Sequence, residues 1–462
     1  MEKISPELDY SPSVSNHSTV IYRNVAPQGA NAVQLSTSSA VGPTTFLLAP
    51  TVYNLARSRL NFTLLLPATA GKVNYVQGNL NTIINRLVVT DSNTSAVLCD
   101  ISNFDKYTSM ISGPSTELSD FLTKSYDDVA TSITGSAALR FVREDIEKSN
   151  LASNNRIGMT GGDFDMGTEN AYLSRRQFYV GPDSQEFRLN VSLPLSGFGH
   201  CVLATDKNLY SPSNIQVDIY FNGTDSFSFT SNSATVPTSV PTSVAAPASG
   251  AYQINDLVME MATEGNLSIV SQTIQKVMSS GLSLQIPYPT LTRQTIQGQN
   301  PSYQLQLTKG LGNRILYIAT SPFVNNGSLN QAQIHSTYFN TTTWGFEKIN
   351  TFINSVAIKY PNGFNVLKGE DWFYNSKPYF KKSSVQTEGT YRKTDFVFID
   401  SFFGDKPLCE LDPHSVDGLS LSDSSSVWSI QATLDSSRTV DYYTLIVGQK
   451  TLTVSNMGIQ IQ

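Results

Sequence analysis

Apolar and polar residues alternate one by one through both halves of this 462-residue chain, and that pattern leaves few folds open. It runs through Leu60, Phe62, Leu64 and Leu66, through Phe187, Leu189, Val191 and Leu193, and through Ile215, Val217, Ile219 and Phe221. It returns at Leu282, Leu284 and Ile286, at Tyr303, Leu305 and Leu307, at Trp428, Ile430, Ala432 and Leu434, at Leu445 and Val447, and at Leu452 and Val454. A side-chain period of two puts every second residue on one face, so each run makes a strand with one buried and one wet side. Both halves are read as mainly antiparallel β-sheet.

Helical spacing is sparse. Residues 115–128 offer Ser115 or Thr116 as a cap, Glu117 in the first turn, and Leu118, Phe121 and Leu122 as an apolar stripe. Phe346, Ile349, Phe352 and Ile353 suggest a second helix running toward the turn Pro361-Asn362-Gly363, and residues 139–148 a third. The long connections 149–177 and 361–393 argue against an up-and-down barrel and for strands that cross between two sheets. The expected fold is all-β, two tandem eight-stranded antiparallel jelly rolls with short helical inserts in loops.

A charge-free stretch, SNSATVPTSVPTSVAAPASG, occupies residues 231–250. Proline fixes φ and removes a donor, so this repeat cannot join a central strand. It is expected to connect the two rolls; an exposed loop at the end of the first roll is the alternative. The expected organisation is an arm at 1–20, a first roll at 21–230, this linker, and a second roll at 251–462. The arm is rich in proline and serine, with little to bury.

Charged residues make up only 15% of the chain, below the ~25% usual in soluble domains. The balance is Ser, Thr, Asn and Gln, which suits sheet faces and large packed interfaces. A net charge of −6 and an N-terminus without a basic run argue against gripping nucleic acid through the overall field. No apolar run approaches the ~20 residues that span a bilayer. Cys99, Cys201 and Cys409 are widely spaced and odd in number, the usage of a reduced, intracellularly made protein with buried thiols. No secretory leader is read at the N-terminus, so the eight Asn-x-Ser/Thr sites are expected to stay bare.

Motifs for chemistry are weak. His17, His200, His335 and His414 have no partner at metal-ligand spacing, and no phosphate loop, nucleophile elbow or H-E-x-x-H occurs. Asp163, Asp165 and Glu169 flank a glycine, as in hard-cation loops, but lack the full calcium-loop spacing. Residues 143–148 read as a solvated helical face with i,i+4 ion pairs. Trp372, Phe373, Tyr374, Tyr379 and Phe380, interleaved with lysines, could stack sugars or bases but fit a subunit interface better. No catalytic residue and no cofactor is expected.

The tandem halves, the low charge, the stretch from Ala251 to Glu260, and Trp428 to Leu434 followed by Tyr442 to Ile461 together resemble the double jelly-roll major capsid proteins of icosahedral double-stranded DNA viruses, the adenovirus-like, polinton-like and virophage lineage. In this resemblance 251–260 is the entry strand of the second roll. It implies homotrimeric, pseudo-hexagonal capsomers that tile a virion shell, with copies of the same chain, penton proteins and minor or cement proteins as partners. The resemblance implies no sequence-specific contact with nucleic acid and leaves room for a membrane beneath the shell. A competing reading is a β-sandwich lectin or glycosidase, which needs two carboxylates, such as Asp371 and Asp163, to converge across a sugar.

Overall fold

The structure is a computed structural model and describes residues 19–36, 38–66, 74–77, 80–115, 177–180, 187–205, 208–231, 244–245, 252–324, 346–358, 364–365, 397–404, 418–421 and 426–462. The chain opens with β1 (Val20–Val25), β2 (Val33–Gln34), β3 (Val41–Leu48), β4 (Thr51–Asn54) and β5 (Arg59–Leu66). β6 (Asn74–Gln77), β7 (Ile84–Asp91) and β8 (Val97–Ser102) lead to helix α1 (Phe104–Ser115). Next come β9 (Gln177–Val180), β10 (Phe187–Pro194), β11 (Asn208–Ser211), β12 (Ile215–Phe221), β13 (Ser228–Ser231), β14 (Val244–Ala245) and β15 (Gln253–Glu264). Helix α2 (Leu267–Ser280) carries the chain into β16 (Leu282–Gly298), β17 (Ser302–Leu307), β18 (Arg314–Val324) and β19 (Phe346–Ile353). The remaining strands are β20 (Val356–Ala357), β21 (Phe364–Asn365), β22 (Phe398–Ser401), β23 (Leu419–Ser420), β24 (Ser426–Leu434), β25 (Arg438–Ser455) and β26 (Gly458–Ile461).

Among the described residues every ladder is antiparallel, and none joins a strand before α2 to one after it. The first half holds a sheet in the order β10-β5-β15-β4-β11, with β1 and β2 also on β15. Its other sheets are β3-β12-β7-β8 and the small β14-β13-β6-β9. The second half holds β16-β25-β18-β22, with β23 on β18 and β26 on β25, and β17-β24-β19-β20, with β21 on β19.

Alternation becomes burial as expected. In β12, Ile215, Val217, Ile219 and Phe221 turn inward while Gln216, Asp218 and Tyr220 stay partly exposed. In β24, Trp428, Ile430, Ala432 and Leu434 are all at 0% exposure. Each large side chain so buried contributes roughly 1.5–3 kcal/mol of transfer free energy. β25 departs from the rule, because Val440–Gln449 is buried on both faces. One face lies in the second half's own core, where Tyr442 meets Tyr303 at 5.2 Å and donates its hydroxyl proton to the Pro301 carbonyl at 3.0 Å. The other, bearing Tyr443, Leu445 and Val447, turns toward the first half.

Two expectations are corrected. Residues 251–260 do not open the second half: β15 pairs with β5, β1 and β2, placing it in the middle of the first half's large sheet. The proline-rich stretch 231–250 therefore does not join the halves. Its first residue ends β13, Val244–Ala245 within it form β14, which pairs with β13, and α2 makes the crossing. Prolines bar a stretch from the middle of a sheet but do not say which sheet the chain re-enters, and the chain re-enters the first half's large sheet at β15.

Residues 346–353 form a strand, not a helix. A β-bulge between Phe346 and Lys348 against β24 inserts one residue, so buried Phe346 and Ile349 stand three apart and imitate a helical step. The two α-helices among the described residues fall outside the helical spacing read from sequence. α1 ends at Ser115, where a helix was expected to begin, and buries Phe104, Tyr107, Met110 and Ile111. α2 is capped by the Asn266 side chain, which accepts from the Ser268 N–H at 3.0 Å. Residues 116–128 and 139–148 lie outside the described residues.

Candidate functional site: the seam between the halves

The first half meets the second through Lys106 of α1 over the Tyr443 ring of β25, through the 3-10 turn Val202–Ala204 beside β16, and through the β7–β8 turn against Met457 and Ile459 at β26. Edge strands β8 and β16 run beside each other without pairing. Pro287 and Pro289 of β16 stand opposite Gln449 and Val447 in an uninterrupted ladder to β25, so the missing donors fall on the rim facing away from β25. The halves therefore meet through side chains.

Asp91, at the end of β7, is at 0% exposure and is the densest of these contacts. Its Oδ1 accepts from the N–H groups of Asn93 at 3.0 Å and Thr94 at 2.7 Å and from the Thr94 hydroxyl at 2.9 Å. Its Oδ2 accepts from the Ser213 hydroxyl and, across the seam, from the Ile459 N–H at 3.2 Å. The Thr94 hydroxyl also lies 2.8 Å from the Ile459 carbonyl, and the Asn93 amide donates to the Met457 carbonyl. Burial pushes the Asp91 carboxyl up, but the donors from Ser213, Thr94 and Ile459 outweigh it and hold the group below the ordinary carboxylate range. Gly458 makes the approach feasible: its φ is +135°, and a Cβ there would sit 2.8 Å from Asp91 Oδ1 and 2.7 Å from Thr94 Cγ2.

A second contact is ionic and aromatic. Lys106, on α1 and 8% exposed, places its Nζ 5.6 Å from the centre of the Tyr443 ring. The Arg293 guanidinium lies 5.7 Å from the same ring and donates to Asp441 Oδ2 at 2.7 Å, while the Thr295 hydroxyl donates to Asp441 Oδ1. Burial pulls Lys106 down to about 8, against the attraction of Asp105 and Asp441. Burial likewise raises the Asp105 carboxyl, with Lys106 opposing.

The third contact is centred on His200. Its ring stands edge-on to Tyr317 of β18 at 5.7 Å, and the His200 backbone N–H donates to the Tyr107 hydroxyl at 2.6 Å. Neither His200 Nε2 nor the Tyr317 hydroxyl has a hydrogen-bond partner among the described residues. Burial alone lowers His200 to about 4, so the imidazole is neutral at physiological pH. Gly199, with φ +77°, keeps Tyr107 in reach, since a Cβ there would be 2.6 Å from the hydroxyl oxygen.

Of the residues named from sequence, His200 is a seam residue, though nothing in its sequence context marks it as one. Asp163, Asp165, Glu169, Asp371, Trp372, Phe373, Tyr374, Tyr379 and Phe380 lie outside the described residues. Among the described residues there is no group of three His, Cys, Asp or Glu that could hold a metal, and no helix long and apolar enough to cross a membrane. The seam residues Asp91, Lys106 and Tyr317 carried one faint signal: Asp91-Ser92-Asn93-Thr94 is a turn-forming string directly after an alternating run. The chemistry of the seam is recognition between two surfaces, with charges already paired.

No protein-family model and no curated protein matches the chain. Solved structures match along nearly its full length. PBCV-1 VP54, fitted into a cryo-EM reconstruction of the virophage Sputnik, superposes with a TM-score of 0.51 at 8% identity, covering 98% of this chain and 98% of that one. The quasi-atomic model of the PBCV-1 virus capsid gives 0.50 at 9% identity, covering 97% and 98%. The 3.5 Å cryo-EM structure of the Sputnik virophage gives 0.51 at 13% identity, covering 100% and 92%. The fold is a double jelly roll. At these identities the likeness is one of fold, and residue roles are not transferable. Within this double jelly roll, the Asp91, Lys106 and His200 contacts fix one roll against the other.

Proposed function

We propose that this double jelly roll is the major capsid protein of an icosahedral double-stranded DNA virus, a structural protein of the virion rather than an enzyme. The observation that carries the reading is the full-length match, in both directions, to structures of virus capsids. A fold alone does not give function. Here, however, the function proposed is itself geometric: two similar rolls held rigidly side by side. Three copies about a closed axis present six rolls, a pseudo-hexagonal outline able to tile a flat facet. The division between rolls is placed at α2, and Leu267 and Met278 on that helix, 79% and 71% exposed, add apolar surface at the junction.

In this reading the first partners are further copies of the chain, followed by penton and minor or cement proteins, with an internal membrane compatible beneath the shell. Trp372, Phe373, Tyr374, Tyr379 and Phe380 are assigned to contacts between subunits, where aromatic residues anchor interfaces. Asp163, Asp165 and Glu169 are assigned no ion.

Native mass by light scattering over a dilution series tests the proposal. A stable species three times the 50.5 kDa chain is expected. A clean monomer, particularly one that binds on a glycan array, would overturn it in favour of a sugar-binding sandwich.

A further inference from the structure

Asn222-Gly223-Thr224, directly after β12, is one of the eight Asn-x-Ser/Thr acceptors for an Asn-linked glycan. Such an acceptor carries its bulky glycan on a surface. Here Asn222 is 3% exposed and Thr224 1% exposed. The Asn222 side chain is part of the first roll's frame. Its Nδ2 donates to the carbonyls of Thr82 at 2.8 Å and Ile84 at 3.3 Å, and its Oδ1 accepts from the Asn85 amide at 2.8 Å. The backbone is tied down as well: the Asn222 N–H donates to the Ile83 carbonyl at 2.7 Å and the Thr224 N–H to the Ser36 carbonyl at 2.9 Å.

We propose that transfer of an Asn-linked glycan to Asn222 and closure of the first roll exclude each other, so that this chain folds only where the transferring enzyme is absent. Transfer from a lipid pyrophosphate carrier forms a bond from Nδ2 to C1 of the first sugar and breaks the bond from C1 to the pyrophosphate oxygen. One Nδ2 hydrogen leaves as a proton, and the carrier departs as lipid pyrophosphate. Nδ2 then keeps a single hydrogen for two carbonyls, and the sugar needs the space in which the Thr82 and Ile84 carbonyls stand. A buried carbonyl without its donor and a polar sugar cut off from water both oppose closure.

The order of synthesis leaves the acceptor open. Ser36, which holds Thr224, follows Leu35, whose N–H donates to the Tyr252 carbonyl at 3.1 Å, and the Phe227 ring meets the Tyr252 ring edge-on at 6.0 Å. Tyr252 leads into β15, the strand that completes the large sheet, so the surroundings of Asn222 are finished only after the acceptor has been made. A chain threaded past the enzyme during synthesis is therefore modified before it is sealed. These contacts belong to the first roll alone and act whether or not the chain builds a shell.

The test produces the full chain in eukaryotic cells with and without a cleavable secretory leader and divides each product by limited proteolysis. Glycans are removed enzymatically in heavy-oxygen water, which marks every formerly occupied asparagine for mass spectrometry. The leaderless chain should be protease-resistant and bare. With the leader, Asn222 should be occupied in the protease-sensitive fraction and bare in any resistant fraction, and blocking synthesis of the lipid carrier should restore resistance. Gly223→Pro abolishes the acceptor while leaving Asn222 and Thr224 in place, at a φ of −63° that suits proline, and should enlarge the resistant fraction. Leaderless expression shows whether that variant folds, and the comparison of fractions in the natural chain stands without it. A resistant fraction as fully occupied at Asn222 as the sensitive one would overturn the proposal. So would a leader-bearing chain that folds with Asn222 bare throughout, or one that stays sensitive when every acceptor is bare.

Discussion

His200 carries a consequence that solution measurements can read directly. Its imidazole is lowered from 6.5 to about 4 by burial, so the unfolded chain binds a proton more readily than the folded one across that interval. Stability is therefore fully present above about pH 6.5 and is lost as pH falls toward 4, by about 3 kcal/mol in total if the whole shift is realised. Asp91, held below its ordinary range, gives way only at lower pH, so the two windows separate. Denaturant midpoints measured at intervals from pH 7 to 4 should fall for the natural protein, and His200→Gln should flatten that fall. An unchanged slope in the variant would mean that another group governs the acid side. Gly458 and Gly199 show the same contacts from the backbone: each sits at positive φ where an added methyl would strike a seam side chain.

At the scale of elements, β19 and its hairpin to β20 show how local chemistry fixes register. Asn354 and Ser355 connect the two strands, both at positive φ, 49° and 68°, the pairing of a type I′ turn. The Asn354 carbonyl oxygen Oδ1 accepts from the Val427 N–H at 2.9 Å, tying the turn to β24. Serine tolerates left-handed backbone poorly and glycine tolerates it well, so Ser355→Gly should stabilise the protein by about 0.5–1 kcal/mol. A thermal midpoint that fails to rise would show that this turn does not limit stability. Much of the sheet content was legible in sequence because β5, β10, β12 and β24 alternate between a face that meets the core and one that does not. The helices were less so. In α1 the stripe Phe104, Tyr107, Met110 and Ile111 is interrupted by polar residues and ends in Gly113-Pro114-Ser115. α2 is rich in β-branched residues and serine and buries only Val277, so its pattern gives little to read. A bulge disguised β19, and no pattern within β15 says which sheet it joins.

For the whole molecule, the seam makes the two rolls one structure. The face of the second roll bearing Tyr317, Tyr443, Leu445 and Val447 is buried only because the first roll covers it, and the buried core is continuous across both. Residues 281–462 expressed alone should therefore expose that face, bind hydrophobic dye and aggregate, whereas co-expression with residues 1–280 should rescue solubility. A soluble, dye-silent second roll would show that the seam is a contact between independent units. The seam itself was not legible in sequence, because its partners lie hundreds of positions apart and each looks locally ordinary. β15 adds a constraint in time. It is the middle strand of the first roll's large sheet, yet it is the last of that sheet's strands to be synthesised. At about 5–20 residues per second, the roughly 200 residues between β5 and the end of β15 take on the order of 10–40 s to emerge. Through that interval β4 and β5 wait with open edges on either side of a gap, so a nascent chain that stalls there is the form most exposed to chaperones and to its neighbours on the same message.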